Sequence, residues 1–192
     1  MVGGPMLLLR VVLSATYRRA TMAKQGNAKE NMNAVDLLKS QHREVEDLFE
    51  EFEDARGSQK KRAIFEQIAD KLAIHAGIEE RDFYPSVKAK ETEDLLLESL
   101  EEHLAAKRVI ADLLALEPSD ETFEAKVKVL QEQIEHHVEE EEEELFPQVK
   151  KLFDEEILEA LAQRMIATQE ELLENDRPRD SVLGETTEAS SL

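Results

Sequence analysis

The chain has 192 residues, enough for one domain with a sizeable core, and its 44 acidic against 24 basic side chains give a formal net charge of −20. That charge repels phosphate and argues against a nucleic-acid partner, while the lack of cysteine removes disulfides, zinc–thiolate fingers and iron–sulfur clusters. Any metal must be held by nitrogen and oxygen, which favours iron, manganese or zinc over copper(I).

Residues 1–31 read as an N-terminal extension outside the fold. Arg10, Arg18, Arg19, Lys24 and Lys29 stand there with no acid before Glu30, so residues 30–192 carry about −25. The apolar stretch Met6 to Leu13 is interrupted by Arg10 and is too short to span a membrane, so no membrane partner is expected. We read the segment as an overextended gene start, with Met22 or Met32 as the initiator and a cytoplasmic protein. An arginine-rich mitochondrial presequence is the alternative.

Four runs of apolar residues at helical spacing follow. The first has Val35, Leu38, His42, Val45, Leu48, Phe49 and Phe52, and the second Ile64, Ile68, Leu72, His75 and Ile78. The third has Leu96, Leu100, His103, Ile110 and Leu114, and the fourth Phe123, Val127, Leu130, Ile134, His137 and Val138. Breaks fall at Gly57-Ser58, between Pro85 and Thr92, and at Glu117-Pro118-Ser119. Short loops between such helices predict an all-α fold, an antiparallel up-down-up-down four-helix bundle over residues 32–174. A fifth amphipathic stretch with Ile157, Leu158, Leu161, Met165 and Leu172 is expected as an accessory C-terminal helix, and residues 175–192 as a disordered tail.

Two segments are near copies of each other: His75-Ala76-Gly77-Ile78-Glu79-Glu80-Arg81-Asp82-Phe83-Tyr84-Pro85 and His137-Val138-Glu139-Glu140-Glu141-Glu142-Glu143-Glu144-Leu145-Phe146-Pro147. On a helix the Glu at i+4 shares a face with the His, and the proline is expected to end each helix. The remaining core histidines fall at matching heights. His42 precedes Gly57 by about 22 Å of helix and His75 follows it by about 27 Å, at 1.5 Å per residue. His103 stands at a similar remove from the turns on either side of it, so four histidines reach one level of the bundle. The repeat of a helix pair implies a pseudo-twofold axis, on which a site naturally holds two cations with Glu79 and Glu141 between them.

The bland reading is a buried polar network without metal. It would cost several kcal/mol for each group left without a partner, which favours a metal site. Glu80 and Glu142, at i+5, are second choices or outer partners of the ligands, and His136 is a surface or outer residue. A ferritin-like carboxylate bundle needs Glu-x-x-His on two helices, and no acid stands three residues before any of these histidines.

On these motifs the chain from about Asp36 to about Leu152 resembles the hemerythrin family, specifically its HHE cation-binding domains. The motifs are Gln41-His42, His75 with Glu79-Glu80 and Phe83-Tyr84-Pro85, Glu102-His103, and His137 with Glu141-Glu142 and Leu145-Phe146-Pro147. The resemblance implies a non-haem centre of two iron ions that meets O2 or a small oxidant. His42, His75, His103 and His137 would be terminal ligands, and Glu79 and Glu141 bridges. Lys107 stands where oxygen-carrying members of the family have a further His, and Glu142 where they have Asp, which favours oxidant or iron sensing over reversible O2 carriage. A binding or responsive protein is therefore expected before an enzyme. The alternatives are a low-turnover peroxidase- or oxidase-like activity at the same metals, and an acidic helical interaction module.

Overall fold

The computed structural model describes residues 32–174 and 177–192. The N-terminal extension inferred for residues 1–31 therefore lies outside the described residues, but for Met32 onward every described element is helical. Four long helices carry the core: α1 (Ala34–Asp54), α2 (Ser58–Ile78), α4 (Glu93–Ala115) and α5 (Phe123–Glu140).

Local chemistry sets their ends. The Asn33 side chain accepts the Asp36 N–H at 2.9 Å, satisfying one of the donors that the first turn of α1 leaves free. Gly57 turns the chain into α2 with φ at 86°, a conformation that a side chain disfavours. Thr92 closes the turn before α4 by accepting the Ala89 N–H and donating to the Val87 carbonyl, both at 2.9 Å.

Long-range contacts fix how the helices run. Lys71 pairs with Glu44 and Lys60 with Glu51, so α1 and α2 are antiparallel. His103 packs on His137 and Lys126 reaches Asp112, so α4 and α5 are antiparallel as well. One end of the bundle is filled by Phe49, Phe52, Phe65, Ile68, Leu113, Phe123 and Leu130, all buried. At about 1.5–3 kcal/mol for each large apolar side chain removed from water, this cluster supplies much of the drive for folding. The four histidines lie beyond it.

The expected ending of helices at the two prolines is corrected by the structure. After α2 and after α5 the chain passes through a single wide turn, Glu79–Phe83 and Glu141–Leu145, and then continues helically as α3 (Tyr84–Val87) and α6 (Phe146–Leu152). In each wide turn the N–H of the residue before proline reaches back five residues, Tyr84 to the Glu79 carbonyl and Phe146 to that of Glu141. The extra residue places Pro85 and Pro147 at the start of the next helical segment, where no N–H is required. Both wide turns begin on the glutamate singled out in the repeat.

The accessory helix is α7 (Glu155–Leu173), which buries Leu158, Leu161, Ala162, Met165 and Thr168 and leaves Ile157 half exposed. It lies close on α2: a methyl at Gly77 would meet Leu172 at 2.9 Å. The expectation of a disordered tail is also corrected. Residues Pro178–Gly184 form a short 3-10 helix packed on α2 and α4, with Val182 buried in the main apolar cluster and Arg179 bonded to Asp70 and Glu66. A few anchoring contacts hold a segment whose composition alone reads as solvated. Among the described residues no helix is long and apolar enough to cross a membrane.

Candidate metal centre

Helical register aims all four histidines into one space. His42 on α1 and His75 on α2 form one edge-to-face pair with ring centroids 4.9 Å apart. His103 on α4 and His137 on α5 form a second, tilted pair with centroids 4.8 Å apart. Glu79 and Glu141, at the first residue of each wide turn, are fully buried between the pairs. Glu79 Oε2 lies 3.1 Å from His75 Nε2 and 3.3 Å from His103 Nε2. Glu141 Oε2 lies 3.3 Å from His42 Nε2 and 3.7 Å from His137 Nε2. Each carboxylate thus faces one imidazole from each half of the bundle.

The outer nitrogens are handled differently. His42 Nδ1 bonds Glu142 at 2.9 Å and His103 Nδ1 bonds Glu80 at 2.9 Å. His75 Nδ1 donates to Gln41 at 2.9 Å and His137 Nδ1 donates to Glu102 at 2.8 Å. With every Nδ1 tied outward, the hydrogen sits there and the Nε2 lone pair points inward. Gln41 and Glu102 each precede the first histidine of their half, so this outer shell repeats the pseudo-twofold arrangement.

The inner atoms have too few partners. His42 Nε2, His75 Nε2, both oxygens of Glu79 and Glu141 Oε2 are buried without a hydrogen bond. Unpaired buried polar atoms of this kind cost several kcal/mol together, and a cation among them removes the deficit. Ligand atoms from His42, His75, Glu79 and Glu141 lie within 4.8 Å of one another, as do those of Glu79, His103 and His137. Two overlapping nitrogen–oxygen donor sets sharing Glu79 fit a pair of borderline metal ions, and the residues present suit that group.

The electrostatics of the metal-free cluster follow from burial. Desolvation and the Glu141 charge push Glu79 well above the ordinary carboxylate range. Desolvation also acts on Glu141, but the charge of His137 and the hydrogen bond and charge of His42 outweigh it and hold Glu141 below that range. Burial and the neighbouring His42 push His75 well down, so it stays neutral. Burial opposes protonation of His42 and His137 too, yet Glu141 raises both, with Glu102 assisting at His137. Glu80 is held down to about 2, its burial overcome by hydrogen bonds from His103 and Lys107.

All six residues singled out in the repeat therefore converge. Glu80 and Glu142 stand one shell out on histidine Nδ1 atoms, and the His136 side chain is 62% exposed beside Glu102 and Glu140. Lys107 is buried, but its ammonium turns to Glu80 at 2.8 Å and to Glu185 at 2.8 Å. The residue that sequence reasoning missed is Tyr84, whose hydroxyl donates to Glu141 Oε1 at 3.0 Å while its ring stacks on His103. Its counterpart Phe146 stacks on His42 and has no hydroxyl to offer. The signal was present as the one polar difference between Phe83-Tyr84-Pro85 and Leu145-Phe146-Pro147. A cavity of about 30 Å³ adjoins all four imidazoles, with apolar walls that include Val45, Leu72, Ile110 and Val182.

Comparison with known proteins agrees with this geometry. The family described as hemerythrin HHE cation binding domain matches residues 33–149. A crystal structure of a hemerythrin HHE cation-binding domain-containing protein from Mycobacterium kansasii superposes with a TM-score of 0.67 at 25% identity, covering 80% of this chain and 99% of that one. A protein of Nostoc sp. described as a DNA nickase is 32% identical over 126 residues, which are 66% of this chain. The chain spans only 36% of that relative's length.

Proposed function

The chain belongs to the hemerythrin HHE cation-binding domain family, and on that premise we propose that it is a non-haem di-iron protein that binds or responds to O2 or another small oxidant. The observation that carries this reading is the division of labour in the four imidazoles: every Nδ1 is tied outward, and the Nε2 atoms face two buried carboxylates short of partners. His42 and His75 would hold one ion and His103 and His137 the other, with Glu79 and Glu141 serving both.

Iron held by these residues would supply the redox chemistry toward a small oxidant. The chain's own residues do the rest. Gln41, Glu80, Glu102 and Glu142 fix the tautomer and direction of each imidazole. Tyr84 keeps a proton within reach of Glu141, and burial and charge push that phenol well above its usual range, so it remains a donor at neutral pH. Apolar walls keep bulk water from the cavity.

Metal analysis of the purified protein, with visible spectra before and after exposure to air, tests the proposal. About two irons per chain and a near-ultraviolet charge-transfer band on oxidation are expected for a pair of ligated ions. Protein that takes up no iron under reducing conditions, or binds one zinc and stays colourless, would overturn it. A low-turnover peroxidase-like activity at the same residues is separated by stoichiometry, since an enzyme consumes many equivalents of peroxide and a responsive protein about one. The nickase activity belongs to the cyanobacterial relative, and the charge of −20 here speaks against a nucleic-acid substrate.

A further inference from the structure

The cavity beside the four imidazoles is walled by the four long helices and by one residue from outside them. α1 and α5 contribute Val45, Ile134 and Val138 beside their histidines. α2 contributes Leu72, Ala73 and Ala76, and α4 contributes Ala106, Lys107 and Ile110. Val182, from the segment after α7, is the one lining residue that these helices do not supply, and it is 1% exposed.

The segment is pinned on both sides of Val182. Arg179, 9% exposed, donates its backbone N–H to Asp70 at 3.0 Å and a guanidinium N–H to Glu66 at 3.0 Å, both on α2. Beyond Val182, Glu185 pairs with Lys107 at 2.8 Å and the Thr186 carbonyl accepts from Arg108 at 2.9 Å, both on α4. Ser190 bonds Glu80, which itself holds His103. Apart from Val182 and Arg179 the segment buries little, so its opening costs less than unfolding a bundle helix.

We propose that residues 177–192 form a closing strap over the metal cluster, with Val182 as the residue that limits access to uncharged molecules of about two heavy atoms. The size follows from the space: a water-sized sphere needs about 10–15 Å³ of such volume, so a cavity of about 30 Å³ accepts roughly two. Hydrogen peroxide fits and a branched organic hydroperoxide does not. This selectivity rests on the di-iron reading above, whereas the closure itself does not need iron.

Two full-length variants test it: Val182→Ala, which enlarges the opening, and Arg179→Ala, which frees one end of the strap. In metal-free protein, diethyl pyrocarbonate should acylate His75 and His103 at least about tenfold more slowly than exposed His136. In Arg179→Ala the His75 and His103 rates should rise severalfold, with His136 and the helical circular dichroism unchanged. In iron-loaded protein, hydrogen peroxide should oxidise the reduced centre at least about tenfold faster than tert-butyl hydroperoxide, and Val182→Ala should bring the two rates within about threefold. Unchanged acylation in Arg179→Ala together with unchanged peroxide discrimination in Val182→Ala would overturn the strap. If Arg179→Ala loses helical signal, the peroxide ratio in Val182→Ala decides alone. Failure of the protein to take up iron would refute the di-iron reading while leaving the acylation comparison to judge the closure.

Discussion

Tyr84 donates a hydrogen bond to Glu141 Oε1 at 3.0 Å, whereas Phe146, its counterpart in the other half of the bundle, leaves Glu79 without one. The two carboxylates at the centre of a nearly symmetric cluster are therefore unequal. In the metal-free protein Glu141 is held ionised by His137 and His42, and Glu79 is pushed toward its protonated form by burial and by Glu141 itself. Tyr84→Phe removes a buried hydrogen bond to a charged group, which is worth about 1.5–3 kcal/mol. Chemical denaturation of the metal-free variant should show a loss of about that size, with iron content retained because no imidazole or carboxylate has changed. A variant as stable as the parent would mean the hydroxyl does nothing for Glu141.

Register distinguishes His137 from its neighbour. His137 is buried with its Nε2 toward Glu141, and His136 is turned to solvent. His75→Ala or His137→Ala should lower iron content to half or less, and His136→Ala should leave it nearly unchanged, as measured by metal analysis of each purified variant. Equal losses from His136→Ala and His137→Ala would contradict the register.

Much of this arrangement is legible in the sequence because it depends on periodicity. The apolar stripes set which faces turn inward, and the hairpin lengths bring His42, His75, His103 and His137 to one level. What escapes is set by contacts between distant residues or by backbone detail. A proline reads as a stop, yet at Pro85 and Pro147 one wide turn absorbs the missing N–H, and no side-chain pattern announces it. The segment after α7 reads as solvated, yet Arg179 finds Asp70, and Val182 joins Ala106 in the wall of the cavity and in the main apolar cluster, contacts made with residues far away in the chain. The hydroxyl of Tyr84 is one atom in an aromatic motif, and only the fold shows that it meets Glu141.

The offset of the carboxylates gives a paired test. Glu79 and Glu141 face two imidazoles each, while Glu80 and Glu142 hold Nδ1 atoms from outside. With two irons held as proposed, Glu79→Ala and Glu141→Ala would each remove negative charge from between them, and their repulsion should then expel at least one iron. Glu80→Ala and Glu142→Ala should instead lower metal affinity by about 10–100-fold, as changes to outer partners do, with full occupancy recovered at excess iron. If Glu80 and Glu142 prove the pair whose loss empties the site at saturating iron, the ligands sit one residue further along in both halves.

Metal binding should also be coupled to protons, with a sign that the metal-free cluster determines. Glu141 raises the affinity of His42 and His137 for a proton above the ordinary imidazole value of 6.5, whereas burial and His42 keep His75 neutral. A cation must displace whatever protons His42 and His137 hold, so iron affinity should fall as pH is lowered through the region at and just above 6.5. Bound metal in turn stabilises the folded state, by about 2.7 kcal/mol when free metal is a hundredfold above its dissociation constant. The increase in melting temperature on adding ferrous iron anaerobically should accordingly be larger at pH 8 than at pH 6, with helical content preserved on chelation because the apolar end of the bundle is untouched. Calorimetry in buffers of different ionisation enthalpy should register proton release on binding, greater at the lower pH. Identical melting temperatures with and without iron across this range would remove the energetic basis for a cation in the core, and binding without proton release would show that His42 and His137 are not among its ligands.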